Sequence, residues 1–301
     1  MRFDGTDSSR WAFQRDAVRR GWIAGAGLAI ALLLTAGAAR ADEWNKTYTV
    51  TGRAHVSLNT NDGAVRVTTA DVKQVELHVY YSGYKPDRDL QIESHQDGDA
   101  VELTARLRSN FNWGWGGMHK SLRIEVHMPR EADLQVNTGD GSVEAQSVSG
   151  NLDIHSGDGH ILVEGARGQI RLRTGDGSIE GRDLDGSVEA DSGDGHITLA
   201  GRFDALNVKT GDGSVEAHAF AGSKLQTAWN LRTGDGSVDL TLPGDLQATI
   251  DASTNDGHIS LGIPVTVEGT FSTSQIHGKM NGGGQQLLIH TGDGSIRLNR
   301  G

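Results

Sequence analysis

Five aspartates stand in Gly-Asp-Gly triplets at a fixed interval of 18 residues: Asp140, Asp158, Asp176, Asp194 and Asp212. Further copies carry Asp235 and Asp293 in the same triplet, and Asp62 and Asp256 in Asn-Asp-Gly. A carboxylate repeated in this way has two chemical uses. It can accept hydrogen bonds from the amides of a tight turn, with the flanking glycines supplying positive φ. Alternatively, a row of such oxygens can hold a hard cation, and Asp140, Asp158, Asp176, Asp194 and Asp212 are the candidate Ca²⁺ ligands. Stacked ~4.8 Å apart, two ionised aspartates repel by about 0.9 kcal/mol in water, so a full acidic row implies some compensation. The repeat is not the glycine-rich nonapeptide of calcium-binding β-rolls.

Two residues after each Asp the series runs Ser142, His160, Ser178, His196, Ser214, Ser237, His258, Ser295. Histidine beside aspartate raises the question of zinc. His160 and His196 would lie two repeats apart, about 10 Å, which is too far to share one ion with bonds of about 2 Å. These histidines are therefore read as solvated turn residues. A separate candidate is the Gly-rich stretch 110–117, where Phe111, Trp113 and Trp115 interrupt the strand pattern. Exposed rings there would stack on a sugar or enter a partner's pocket, and the competing reading is a plug that buries the indoles at one end of the fold.

Catalysis fits poorly. A glycosidase needs two carboxylates with separated pKa values across a cleft, and a lyase needs a base beside a charge-stabilising group. The acids here are spread by repeat, and the serines of Gly-Asp-Gly-Ser lack a nucleophile-elbow context. No catalytic residue is assigned.

The elements that hold these residues follow from the periodicity. The third residue after each Asp is Val or Ile (Val143, Ile161, Ile179, Ile197, Val215), and the fifth is usually apolar, with Gly181 an exception. Apolar residues recur four and six places before the Asp, as in Leu152 with Ile154 and Ile170 with Leu172. Each repeat thus reads as strand, tight turn, strand, with period-two alternation.

An antiparallel meander and a stacked solenoid both satisfy that pattern. The outward charges favour stacking. Five places before the Asp, successive repeats carry Asp153, Arg171 and Glu189; three places before, they carry Arg173, Asp191 and Lys209. Set in register, both columns alternate in sign. The column four places after the Asp keeps Glu144, Glu180 and Glu216 two rungs apart. Opposite charges on neighbouring strands contribute about 0.2–1 kcal/mol per pair, and like charges destabilise. The expected fold is an all-β parallel solenoid with about 18 residues per coil. Residues 131–301 form its regular part, and 42–130 form irregular opening coils and a cap over otherwise unpaired strand edges.

Residues 1–41 read as an export signal. Arg15, Arg19 and Arg20 precede an apolar run ending in Ala39-Arg40-Ala41, a small-x-small cleavage pattern, and the alternative is an uncleaved anchor. Removing them changes the net charge from −11 to −14, with 22 basic residues against 36 acidic. Such a surface repels nucleic acid and anionic lipid headgroups, which leaves membrane contact only through the N-terminal segment. There is no cysteine, so packing and hydrogen bonds must hold the exported chain.

The Val-His-Met-Pro-Arg-Glu-Ala-Asp-Leu stretch at 126–134, the repeated Thr-Gly-Asp-Gly-Ser-Val and the Ser149-Gly150-Asn151-Leu152 turn resemble the putative-adhesin family of bacterial domains of unknown function. The resemblance spans about 44–301, with irregularities where insertions follow Asp212 and Asp256. It implies a parallel β-solenoid at the periplasm or cell surface with an adhesive role, and no transferable active site. The expected function is a non-catalytic interaction module whose partner is an envelope protein, a glycan or another surface ligand. The alternatives are a cation-stabilised structural or stress-related envelope protein and, further off, a carbohydrate-active enzyme.

Overall fold

A computed structural model describes residues 42–108, 120–267 and 272–301. Residues 1–41, read above as an export signal, and the residues Phe111, Trp113 and Trp115 lie outside the described residues. Among those described, every regular element is a strand.

The 18-residue spacing translates directly into pairing. The strand Ser149–Ser156 runs parallel to Arg167–Thr174 with Leu152 opposite Ile170, Asp153 opposite Arg171 and Ile154 opposite Leu172. The next coil continues the register, Arg171 opposite Glu189 and Arg173 opposite Asp191. After the turn, Ile161 pairs with Val143 on one side and Ile179 on the other. Each coil therefore contributes a strand before the turn and a strand after it to one continuous sheet. The alternating apolar positions fill the core it encloses, where Leu152, Ile154, Ile161, Val163, Ile170 and Leu172 are at most 2% exposed. Gly181, which breaks the apolar column, makes room for the neighbouring corner: a Cβ there would lie 2.6 Å from Leu184 Cδ1.

The sheet is mixed rather than wholly parallel, which corrects the expectation from the repeat. At one end Leu90–Asp97 lies antiparallel on Ala100–Leu107, and Asp42–Thr49, Gln74–Ser82 and Ser121–Pro129 form an antiparallel trio. At the other, Gln275–Met280 is antiparallel to both Ala248–Thr254 and Thr266–Val267. Hairpins can follow the chain back on itself at an end, where no further coil has to stack, and they cover the edges a bare solenoid would expose.

The coil order also departs from the chain order at both ends. The first coil, Ala54–Thr60 and Ala64–Ala70, sits between the later strands Ala100–Leu107 and Ser121–Pro129 on one side and Ala132–Thr138 and Val143–Gln146 on the other. Likewise the final strands Gln286–Thr291 and Ile296–Arg300 slot between Trp229–Thr233 with Val238–Leu242 and Ala248–Thr254 with Ile259–Leu261.

The Gly-Asp-Gly turns are built differently from the sequence expectation. Apart from Gly63, their glycines do not have positive φ. They are glycines because coils touch: a Cβ on Gly159 would lie 2.0 Å from the Gly141 carbonyl oxygen of the coil before. Apart from Asp62, which accepts from the Gly63 amide at 2.6 Å, the turn amides are also not served by Asp. Two residues before each Asp stands a buried Thr or Ser whose hydroxyl ties coil to coil. Ser156 donates to the Gly141 carbonyl at 3.0 Å and accepts from Gly159 N–H at 3.0 Å. Thr233 does the same with Gly213 at 2.7 Å and Gly236 at 3.2 Å. Thr60 and Thr138 are the exceptions, and among the described residues the buried Thr138 hydroxyl lacks a partner. It faces the Asp62 turn, where Asn61 replaces the first glycine and Thr60 bonds its own Asp62 carbonyl.

Candidate functional site

The aspartate row forms an exposed edge. Asp140, Asp158, Asp176, Asp194 and Asp212 are all solvent-facing. Among the described residues none of them takes part in a side-chain hydrogen bond or ion pair. No three His, Asp or Glu side chains converge on a common point that could hold a metal among the described residues. The Ser/His series beside them closes on itself: His160 Nδ1 and Ser178 Oγ lie 2.7 Å apart, Ser214 N–H donates to His196 Nδ1 at 3.0 Å, and His258 Nδ1 meets Ser295 Oγ at 3.1 Å.

The charged columns meet as their signs require. Arg171 lies 3.7 Å from Asp153 and 3.1 Å from Glu189, and Arg173 lies 2.7 Å from Glu189 and 3.7 Å from Asp191. Burial would raise the Glu189 carboxyl, but Arg173 and Arg171 outweigh it and hold the group below its ordinary range. Asp191 shifts the other way, because burial and then the Glu189 charge favour its neutral form over what Arg173 and Lys209 give back. On the next corner Arg202 is clamped between Asp185 and Asp204, 2.6 Å from the latter, and the hydrogen bond from Arg202 keeps Asp204 low.

These columns border two adjoining depressions on the outer face of the strands that precede the turns. One, of about 530 Å³, crosses the coils from Asn151 to Ala228, with Gln169, Arg171, Ser187 and Glu189 along it. The other, of about 510 Å³, runs from Glu102 through Ser57 and Gln135. Asn151 and Asp153 line both, so the two form one trough perpendicular to the strands. Its acids are largely engaged. Asp133 is 3.1 Å from Arg53 and 3.1 Å from His55, and it accepts the Asn151 amide at 2.9 Å. Burial pulls the Asp133 carboxyl up, yet the Asn151 amide and Arg53 leave it below its usual range.

Sequence reasoning pointed to the turn edge and the aromatic stretch, and it missed the trough. The signal was present in the run of polar residues seven places before Asp140, Asp158, Asp176 and Asp194, namely Asp133, Asn151, Gln169 and Ser187. On an alternating strand such residues look like any solvated face.

Stacked 18-residue coils, an ordered hydroxyl ladder and hairpin ends define a solenoid-like all-β repeat domain. Residues 53–299 match the Toastrack DUF4097 family, and the chain belongs to that family. No curated protein matches the chain. Among solved structures it is similar to a putative adhesin from Bacteroides fragilis, at 13% identity over 85% of this chain and 97% of that one, with a TM-score of 0.41. A putative adhesin from Parabacteroides merdae is 12% identical over 87% and 97%, with a TM-score of 0.44. A putative lipid binding protein from Parabacteroides distasonis is 13% identical over 85% and 96%, with a TM-score of 0.48. At such identities no residue role passes from them to this chain.

Proposed function

We propose that the protein is a non-catalytic interaction module of the bacterial envelope, exported by its N-terminal segment and presenting rigid polar faces to a surface ligand. The observation that carries this reading is the distribution of its polar chemistry. Charges and amides recur coil by coil along open faces, and among the described residues no three His, Asp or Glu side chains converge on one point. A regular rigid sheet loses little entropy on binding, which suits recognition by many weak contacts. The test is retention of the purified protein on isolated envelopes, coupled to an assay for product release from a panel of polysaccharides. Retention without turnover is expected, and steady release of reducing ends would overturn the reading.

The unpaired aspartate edge favours a second reading, in which Ca²⁺ bridging successive turns stiffens a structural component. Ligands that bind only the folded state raise its melting temperature by mass action. An unchanged melting curve at millimolar Ca²⁺ would discard that version and leave the first intact.

A further inference from the structure

We infer that the trough binds a linear, uncharged glycan laid along the solenoid axis, with successive sugars meeting successive coils. This rests on the envelope-module reading and names the ligand class of its site.

The trough crosses seven adjacent parallel strands, from Ala100–Leu107 through Ala54–Thr60, Ala132–Thr138, Ser149–Ser156 and Arg167–Thr174 to the strands containing Ser187 and Asn207. Six steps of ~4.8 Å give about 29 Å. Like groups recur at each step, so the ligand that uses the whole length is a polymer with a similar repeat. One hexose of an extended chain is close to one strand spacing.

The chemistry along the floor narrows the polymer. Gln135, Asn151, Gln169 and Ser187 line it, and no side-chain hydrogen bond to the rest of the described protein occupies them. Each amide offers both a donor and an acceptor, and an unengaged hydroxyl offers the same. That mixture suits sugar hydroxyls, which also donate and accept. Apart from the carboxylates of Asp97 and Glu102, the acids and arginines along it are already matched within the protein, Arg171 between Asp153 and Glu189, and Asp133 with Arg53 and His55. A polyanion would meet Asp97 and Glu102 and be repelled. A polycation would find only those two acids free and would have to compete with arginines for Asp153 and Glu189.

A peptide strand is disfavoured for another reason. Strand addition needs a free sheet edge, and the trough floor is sheet whose strands are paired on both sides. The width comes from the shrinking side chains seven places before the turns, Gln169 then Ser187 then Ala205, which leave the backbone approachable.

The test uses the full chain and an array of neutral linear glycans that includes cellulose, chitin, xylan and mannan oligomers, with heparin and chitosan as charged controls. At least one neutral series is expected to bind, with affinity rising about tenfold or more from disaccharide to hexasaccharide as more coils are engaged. Ser187→Trp, which fills the trough, is expected to abolish binding. The double substitution Asn151→Ala/Gln169→Ala, which keeps the backbone intact, is expected to weaken it by about tenfold or more. Asp176→Ala on the turn edge should bind as wild type. The inference is overturned if no neutral series binds, if heparin or chitosan binds more tightly than every neutral series, or if both trough variants bind unchanged. Retention on envelopes that survives both trough variants would sink the glycan site while leaving the module reading standing.

Discussion

At the residue scale, two side chains that the repeat places two positions apart play opposite parts. In the repeats of Asp158, Asp176, Asp194, Asp212 and Asp235 the Thr or Ser is buried and bonded between coils, whereas the Asp is exposed and unpaired. Thr233→Val should therefore cost about 1–3 kcal/mol in urea denaturation, because the Gly213 carbonyl and the Gly236 amide both lose a buried partner. Asp176→Ala should stay within about 0.5 kcal/mol, since it removes only a solvated charge from a repelling row. Equal losses for the two would contradict the assignment. The hydroxyl position was visible in the sequence as an unbroken Thr/Ser series. Its role was not, because a polar residue beside a glycine turn reads as solvent-facing until the neighbouring coil is placed on it.

The same scale carries the pH dependence. Asp99, Asp133, Glu189 and Asp204 are held below the ordinary carboxylate range: Asp99 chiefly by the Thr51 and Gly52 amides, Asp204 chiefly by Arg202, and Asp133 and Glu189 against the opposing pull of burial. Their contribution is present above about pH 4, where the unfolded groups ionise, and is lost as pH falls through their lower folded values. Asp191, raised by burial and the Glu189 charge, works in the opposite sense. The urea midpoint should accordingly drop between about pH 5 and 2. An Arg171→Met/Arg173→Met variant should start lower and fall less steeply, and a parallel decline would show that these pairs do not set the slope.

At the element scale, coil-to-coil contact leaves no room at the turn. Gly159→Ala should cost about 1–3 kcal/mol through overpacking against the Gly141 carbonyl. The loss should appear as a lower melting temperature with unchanged strand content by circular dichroism. The strand register was legible from the charges alone: Asp153, Arg171 and Glu189 alternate because they stack, and they do stack. The trough was not legible as a site, since Asn151 and Gln169 differ from ordinary surface residues only by lying beside their counterparts over many coils. The individual ion pairs are exposed, and each contributes about 0.2–1 kcal/mol at most. Their value as evidence lies in register.

At the scale of the whole molecule, the regular middle followed from the spacing of 18, but the order of the coils at the ends did not. Asp239 and Arg297 are 58 residues apart and sit side by side 3.1 Å from contact to contact. A periodic sequence states which positions are equivalent and leaves open which copy lies next to which. The place of the late strand Gln286–Thr291 between two earlier ones is settled by long-range pairing that local patterns do not encode.

Because the chain contains no cysteine, this arrangement can be read with introduced pairs. Asp239→Cys/Arg297→Cys joins register partners on adjacent parallel strands, whereas Asp239→Cys/Ser260→Cys joins positions that have Arg297 between them. A disulfide requires Cα atoms within about 7 Å, and two strand spacings are about 9.6 Å. Under mild oxidation the first pair should close in the folded protein and the second should stay reduced. Closure of the second pair with failure of the first would mean that the coils stack in chain order, contradicting the fold on which the site and its ligand rest.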